Sequence, residues 1–194
     1  KAKEELGKLI AFTAGDSMLV FVGLPWEYNN KLYNVAAAIQ DGKLLGLVPK
    51  RWIPNYSEFY EGRYFNSGWE KTIDVSWDGY QVPMGMKLLF SCDNVENLVV
   101  GAEICEDVWV LNPPSIAHAS AGATVIVNCS ASDEVTGKSE YRRSLISGQS
   151  ARLLCAYIYA NAGEGESSQD LVFGGQNIIA ENGNILSESA RFEN

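Results

Sequence analysis

Asp41-Gly42, set between two apolar runs at residues 32–40 and 43–48, restricts the fold of this chain more than any other feature. A two-residue connection between antiparallel strands needs positive φ at both positions, which Asp tolerates and Gly adopts freely, and its twist matches that of the strands it joins. A β-hairpin is therefore fixed early in the chain. Residues 1–11 read as a helix with Leu6, Leu9 and Ile10 on one face, and residues 18–23 as a strand ending at Leu24-Pro25. Residues 49–70 have no clean period. They hold Pro49, Pro54, Gly62 and Gly68 among Trp52, Tyr56, Phe59, Tyr60, Tyr64, Phe65 and Trp69, a composition suited to lining a pocket or an interface. Strands are expected at 86–91, 98–104, 123–128 and 155–160. A short helix opens at Pro113-Pro114, a longer one spans 138–154, and a last hairpin turns at Glu181-Asn182-Gly183. Hairpins mixed with strand–helix–strand units define an α/β or α+β fold whose helices cover sheets.

Charge and residue counts exclude several functions. A net charge of −9 is wrong for holding nucleic-acid phosphates or anionic lipid, and no apolar run approaches the length of a membrane span. His118 is the sole histidine, which removes His-cluster metal sites and most imidazole acid–base chemistry. It lies in a helical stretch, so a Cys–His nucleophile would depend entirely on it. Cys92, Cys105, Cys129 and Cys155 form no close pairs of the zinc-binding kind; no metal site and no disulfide is expected, and the setting reads as reducing and cytoplasmic. A Cys enzyme without His needs a carboxylate base and a cationic partner. Cys105 is the candidate, because it ends a strand in Gly101-Ala102-Glu103-Ile104-Cys105-Glu106-Asp107-Val108-Trp109, where a sharp turn can present the thiol and free the next backbone N–H. The first helix lacks a capping residue and Lys1 is not a Met, so the chain reads as a fragment of something longer.

Ile104-Cys105-Glu106-Asp107-Val108-Trp109 resembles the nucleophile motif of the nitrilase superfamily of carbon–nitrogen hydrolases. The segment from Val48-Pro49-Lys50 to Glu61-Gly62-Arg63-Tyr64-Phe65 is similar to its catalytic-lysine segment. Asn128-Cys129-Ser130-Ala131-Ser132, Gly137-Lys138 and the stretch from Tyr159-Ala160-Asn161 to Ser167-Ser168-Gln169-Asp170 resemble the glutamine-amidotransferase domains of the glutamine-dependent NAD+ synthetase family. The matches follow one another in order over nearly the whole chain. The implied fold is a four-layer α-β-β-α sandwich truncated at its N-terminus, with residues 1–194 forming a single glutaminase-domain fragment. The implied activity is hydrolysis of glutamine through a Cys thioester. The ammonia released would amidate nicotinic acid adenine dinucleotide in an ATP- and Mg2+-using synthetase domain absent from this chain; no cofactor is implied in this domain itself.

By the same resemblance Cys105 is the nucleophile, Lys50 and the backbone N–H of Glu106 hold the oxyanion, and Glu61 orients the lysine. Tyr56, Phe59, Trp109, Ser132 and Lys138 cradle glutamine, the last two toward its carboxylate. Glutamine, the synthetase domain and further copies of the chain are the implied partners, with no nucleic acid and no membrane. The superfamily's general-base Glu has no match here, since Glu4 and Glu5 have the wrong surroundings. It is expected before Lys1, and these residues alone are expected to be inactive. Lys50 and Cys105 are expected at neighbouring strand ends of one sheet. Two other readings remain: a free-standing amidase for another amide, and a catalytically dead scaffold or oligomerisation module. The segment Glu164, Glu166 and Asp170 lacks the regular ligand spacing of a Ca2+ loop and reads as a solvated or domain-contacting loop.

Overall fold

The computed structural model describes residues 1–166 and 170–193, so Ser167, Ser168 and Gln169 of the segment quoted above lie outside the described residues. The chain divides into two compact units, 1–88 and 89–194. In the first, helix α1 (Ala2–Phe12) precedes strands β1 (Val20–Tyr28), β2 (Lys31–Gln40), β3 (Lys43–Pro49), β4 (Ile73–Trp77) and β5 (Tyr80–Met84), which form one sheet in the order β1-β2-β3-β5-β4. Three of its connections are two-residue turns with both φ values positive: Asn29-Asn30, Asp41-Gly42 (47° and 67°) and Asp78-Gly79. Leu6 and Ile10, one helical turn apart, are buried in one apolar cluster with sheet residues that include Leu24, Val35 and Leu47, while Leu9 stays 42% exposed rather than joining that face. Strand β1 runs on through Pro25, beyond its expected end. It is the edge strand, where a missing N–H is tolerated.

The second unit contains β6 (Leu89–Ser91), β7 (Val99–Ile104), α2 (Pro114–Ser120), β8 (Val125–Ser130), α3 (Lys138–Leu153), β9 (Ala156–Asn161), β10 (Ile178–Glu181) and β11 (Asn184–Glu188), with sheet order β11-β10-β9-β8-β7-β6. β7, β8 and β9 are parallel neighbours, each joined to the next through a helix, as a parallel crossover requires. Ile146 of α3 packs with Ile126, Tyr157, Ile178 and Ala180 of the sheet. The register aligns Ile104, Cys129 and Ala160, so the carboxyl ends of the three parallel strands lie side by side. Each unit thus pairs a sheet with helix, the content of the expected α+β sandwich.

One expectation is corrected. Lys50 follows β3 of the five-stranded sheet and Cys105 follows β7 of the six-stranded sheet, so they do not end neighbouring strands of one sheet. The reason is that the parallel neighbour of β3 is β5, joined by Leu47 and Met84, whereas β7 pairs with β6 and β8.

Candidate active site

Cys105 begins a 3-10 turn, Cys105–Val108, directly after β7, and its φ of 46° places it in the left-handed region. For a residue with a Cβ that conformation costs about 1–2 kcal/mol, so the surroundings must hold it. Two side chains do. Asp107, itself buried, accepts the Ile104 N–H at 3.0 Å, and Asn128 Oδ1 accepts the Cys105 N–H at 2.9 Å. The same Asn128 oxygen accepts Ser130 Oγ at 2.7 Å, and Asn128 Nδ2 donates to Tyr157 Oη at 3.1 Å. Tyr157 donates in turn to Glu103 Oε1 at 2.5 Å, while Glu103 Oε2 accepts the Ser115 N–H at 2.8 Å. Burial pushes the Glu103 carboxyl up to about 7, with Asp107 adding to the rise and the Tyr157 and Ser115 donors opposing it. The Tyr159 hydroxyl is pushed to about 12, first by burial and then by Cys105 beside it.

The loop after β8 is fixed by Asn161 at the end of β9. Asn161 Oδ1 accepts the Ser132 N–H at 2.8 Å and Nδ2 donates to Ser132 O at 3.0 Å. Ser132 Oγ accepts Arg142 Nη2 at 3.2 Å; it does not cap α3, whose N-cap position is Gly137. The fully buried Arg142 also pairs with Glu134 at 2.5 Å and reaches Gln176 and the carbonyl of Asp133. Lys138 forms an ion pair with Asp133 and lies 5.7 Å over the Trp109 ring, which itself packs 5.4 Å from Tyr141. Around Cys105 the second unit therefore gathers Trp109, Ser132 and Lys138 at the carboxyl ends of its parallel strands, where ligand sites of open parallel sheets form.

The other predicted residues form their own cluster in the first unit. Lys50 is buried, its Nζ 2.5 Å from Glu61 Oε2, and Glu61 Oε1 accepts Asn34 Nδ2 at 3.1 Å. The backbone supports the pair: Lys50 N donates to Asn34 O at 2.8 Å, and Gly68 N donates to Lys50 O at 2.8 Å. A Cβ on Gly68 would come within 2.9 Å of Pro49 O, so glycine is required for this close approach. The Glu61–Arg63 3-10 turn carries Glu61, and the Tyr56 and Phe59 rings meet edge to face at 5.7 Å.

His118 is buried. Its ring packs on β7 at Gly101, where a Cβ would lie 2.9 Å from it. Gly101 is four residues, about 13 Å of strand, before Cys105. That distance removes His118 as the proton acceptor for this thiol. The sequence reading missed Asn128, Tyr157, Glu103, Asn161 and Arg142. The available signal, for those on strands, was polar residue types inside apolar runs, which must find buried partners; Arg142 lies in α3 and had no such signal.

Residues 2–194 match the profile of the carbon–nitrogen hydrolase family, and the chain belongs to that family. It is 43% identical over 190 residues to the glutamine-dependent NAD(+) synthetase of Mycobacterium tuberculosis H37Rv, covering 98% of this chain and 28% of the relative. To that of Aquifex aeolicus it is 30% identical, covering all of this chain and 30% of the relative. The chain thus spans under a third of the length of these curated relatives. A crystal structure of a glutamine-dependent NAD(+) synthetase from Cytophaga hutchinsonii superposes with a TM-score of 0.84 at 28% identity, over 99% of this chain and 31% of that one. A nitrilase-superfamily amidase from Nesterenkonia shares the fold at a TM-score of 0.73 and 17% identity, over 97% of this chain and 63% of that one.

Two measurements follow from the site. All four cysteines are free thiols; Cys92 is exposed, Cys105 and Cys129 are half-buried and Cys155 is buried, and burial raises the Cys129 thiol to about 11 and the Cys155 thiol in the same direction. Iodoacetamide will therefore label Cys92 and Cys105 faster than Cys129 and Cys155; equal labelling of all four contradicts this assignment. For Glu103, the folded state between about pH 4.5 and 7 keeps a proton that the unfolded chain has released, so stability falls as pH rises across that window. Urea unfolding of wild type and Glu103→Gln will show the wild type's advantage shrinking by on the order of 3 kcal/mol from about pH 4.5 to 7. A pH-independent difference would contradict the buried-carboxyl account.

Proposed function

We propose that this chain is the glutamine-hydrolysing part of a glutamine-dependent NAD+ synthetase. The observation that carries the reading is the left-handed Cys105 at the end of β7, a strained presentation of a thiol that a merely structural cysteine does not need. Identity of 43% to a synthetase over 98% of the chain supports it.

In this reading the Cys105 sulfur bonds to the side-chain carboxamide carbon of glutamine as its proton passes to the general-base glutamate of the family. The carbonyl electron pair moves onto oxygen, where Lys50 and the Glu106 N–H stabilise it. Collapse breaks the C–N bond, the proton returns to the departing nitrogen, and ammonia leaves a γ-glutamyl thioester. Water then adds to the thioester carbon, yielding glutamate and the free thiol. Glu61 keeps the Lys50 ammonium oriented through their ion pair. Tyr56, Phe59 and Trp109 supply aromatic walls, and Ser132 and Lys138 face the substrate carboxylate. The ammonia serves ATP- and Mg2+-dependent amidation of nicotinic acid adenine dinucleotide in a synthetase domain of the same polypeptide. The same reading makes the protein a cytoplasmic homo-oligomer; among the described residues no helix is long and apolar enough to cross a membrane.

The test compares glutamine-driven and ammonia-driven NAD+ formation in the full-length protein. Cys105→Ala should lower the glutamine-driven rate by about 10⁴-fold or more while leaving the ammonia-driven rate intact. Lys50→Met should cost about 10²–10³-fold in glutamine turnover. Glutamine turnover surviving in Cys105→Ala would overturn the reading.

A further inference from the structure

The hydrogen-bonded row running inward from Cys105 has no part in the chemistry above, and nothing in a solvated thiol site requires it. Asn128, Tyr157 and Glu103 are each about 1% exposed or less, so each polar atom must be matched within the protein. The matching is directional. Once ionised, above about pH 7, Glu103 accepts at both oxygens, from Tyr157 and from the Ser115 N–H, so the Tyr157 hydroxyl spends its one hydrogen on Glu103 and turns a lone pair to Asn128. Only the Asn128 amide nitrogen can answer that lone pair. The amide oxygen is thereby turned toward the Cys105 N–H and Ser130 Oγ. Reversing the amide would set its NH2 against the Cys105 N–H and its oxygen against a hydroxyl already committed elsewhere. The register supports this arrangement, since Glu103, Asn128 and Tyr159 are lateral neighbours on β7, β8 and β9, and Tyr157 lies two residues before Tyr159 on the same face of its strand.

We propose that Asn128 is a positioning residue for the nucleophile: its side-chain oxygen, oriented by Tyr157 and Glu103, takes the Cys105 N–H and holds that residue in the left-handed conformation that aims its sulfur. A consequence is that the Cys105 N–H is occupied and is not the oxyanion donor, leaving that task to the next amide. Without Asn128 the backbone of Cys105 relaxes toward the extended region, which releases strain and displaces the sulfur. This inference rests on Cys105 being the nucleophile, and its test keeps the two apart.

The variants, in the full-length protein, are Asn128→Leu, which keeps the volume and removes the acceptor, Tyr157→Phe, which removes only the hydroxyl, and the double variant. Asn128→Leu should lower kcat for glutamine by about 10²-fold, the loss that a displacement of about 1 Å brings. Tyr157→Phe should lower it about tenfold, with KM nearly unchanged in both. Because Tyr157 acts through Asn128, the double variant should be no slower than Asn128→Leu alone. Iodoacetamide alkylation of Cys105 without glutamine should slow in the same order, and circular dichroism should show all variants folded. Folded variants with kcat and alkylation at wild-type rates overturn the proposal, as do losses that multiply in the double variant. Should Asn128→Leu fail to fold, Tyr157→Phe still decides through kcat and alkylation. A wild type that hydrolyses no glutamine would instead overturn the functional reading, and the alkylation rates would still test Asn128.

Discussion

One backbone angle organises the second unit. Cys105 at φ 46° stands where an extended strand would otherwise continue, and the cost of that angle is met by backbone hydrogen bonds to two side chains, Asn128 of the neighbouring β8 and Asp107 of the same turn. Asn128 is placed by the parallel register of β7, β8 and β9, a sheet with whose core Ile146 of α3 is buried. The thiol geometry is therefore a property of the sheet as much as of the local turn. The first unit answers with a similar economy: a buried Lys50 whose charge is matched by Glu61, on a backbone that a glycine at 68 lets close.

Both clusters place charge and polar groups where a globular core would rather have hydrocarbon. Removing one partner from such a network costs more than the bond itself, since the remaining group is left buried and unmatched. Arg142 illustrates the scale of the commitment. Fully buried at the start of α3, it gathers Glu134, Gln176, Ser132 and the Asp133 carbonyl, and so ties the loop after β8 to the segment before β10. That loop carries Ser132 and leads into α3 at Lys138. Rigidity of this kind suits a site that must hold groups within a fraction of an ångström.

Much of the fold was legible in the sequence because its turns are chemically explicit. Asp41-Gly42 announces a two-residue hairpin and Glu181-Asn182-Gly183 a second turn; the structure turns at both, with Glu181 taken into the strand and only Asn182-Gly183 left in the turn. Asp78-Gly79 carries the same chemistry, yet the hairpin of β4 and β5 was not anticipated, since its strands hold Asp74, Ser76, Gln81 and Pro83 and lack an apolar run. Strand β1 outran its expected end because proline forbids a central strand but not an edge. Of the site, Cys105 and Lys50 could be found from strand-end position and motif, and Glu61 from its resemblance. Asn128, Tyr157 and Arg142 could not, because their roles depend on which strands become neighbours and in what register. The expectation of a shared sheet for Lys50 and Cys105 failed for the same reason: sheet membership is decided by long-range pairing that no local pattern encodes.

The account depends on a covalent bond at one sulfur. Acid quench of the full-length protein during turnover with glutamine, followed by peptide mass spectrometry, measures it directly. A γ-glutamyl adduct on the peptide containing Cys105, discharged by hydroxylamine and absent from Cys92, Cys129 and Cys155, is the result this account predicts. Turnover of glutamine with no adduct on Cys105, or with an adduct on another residue, would contradict it.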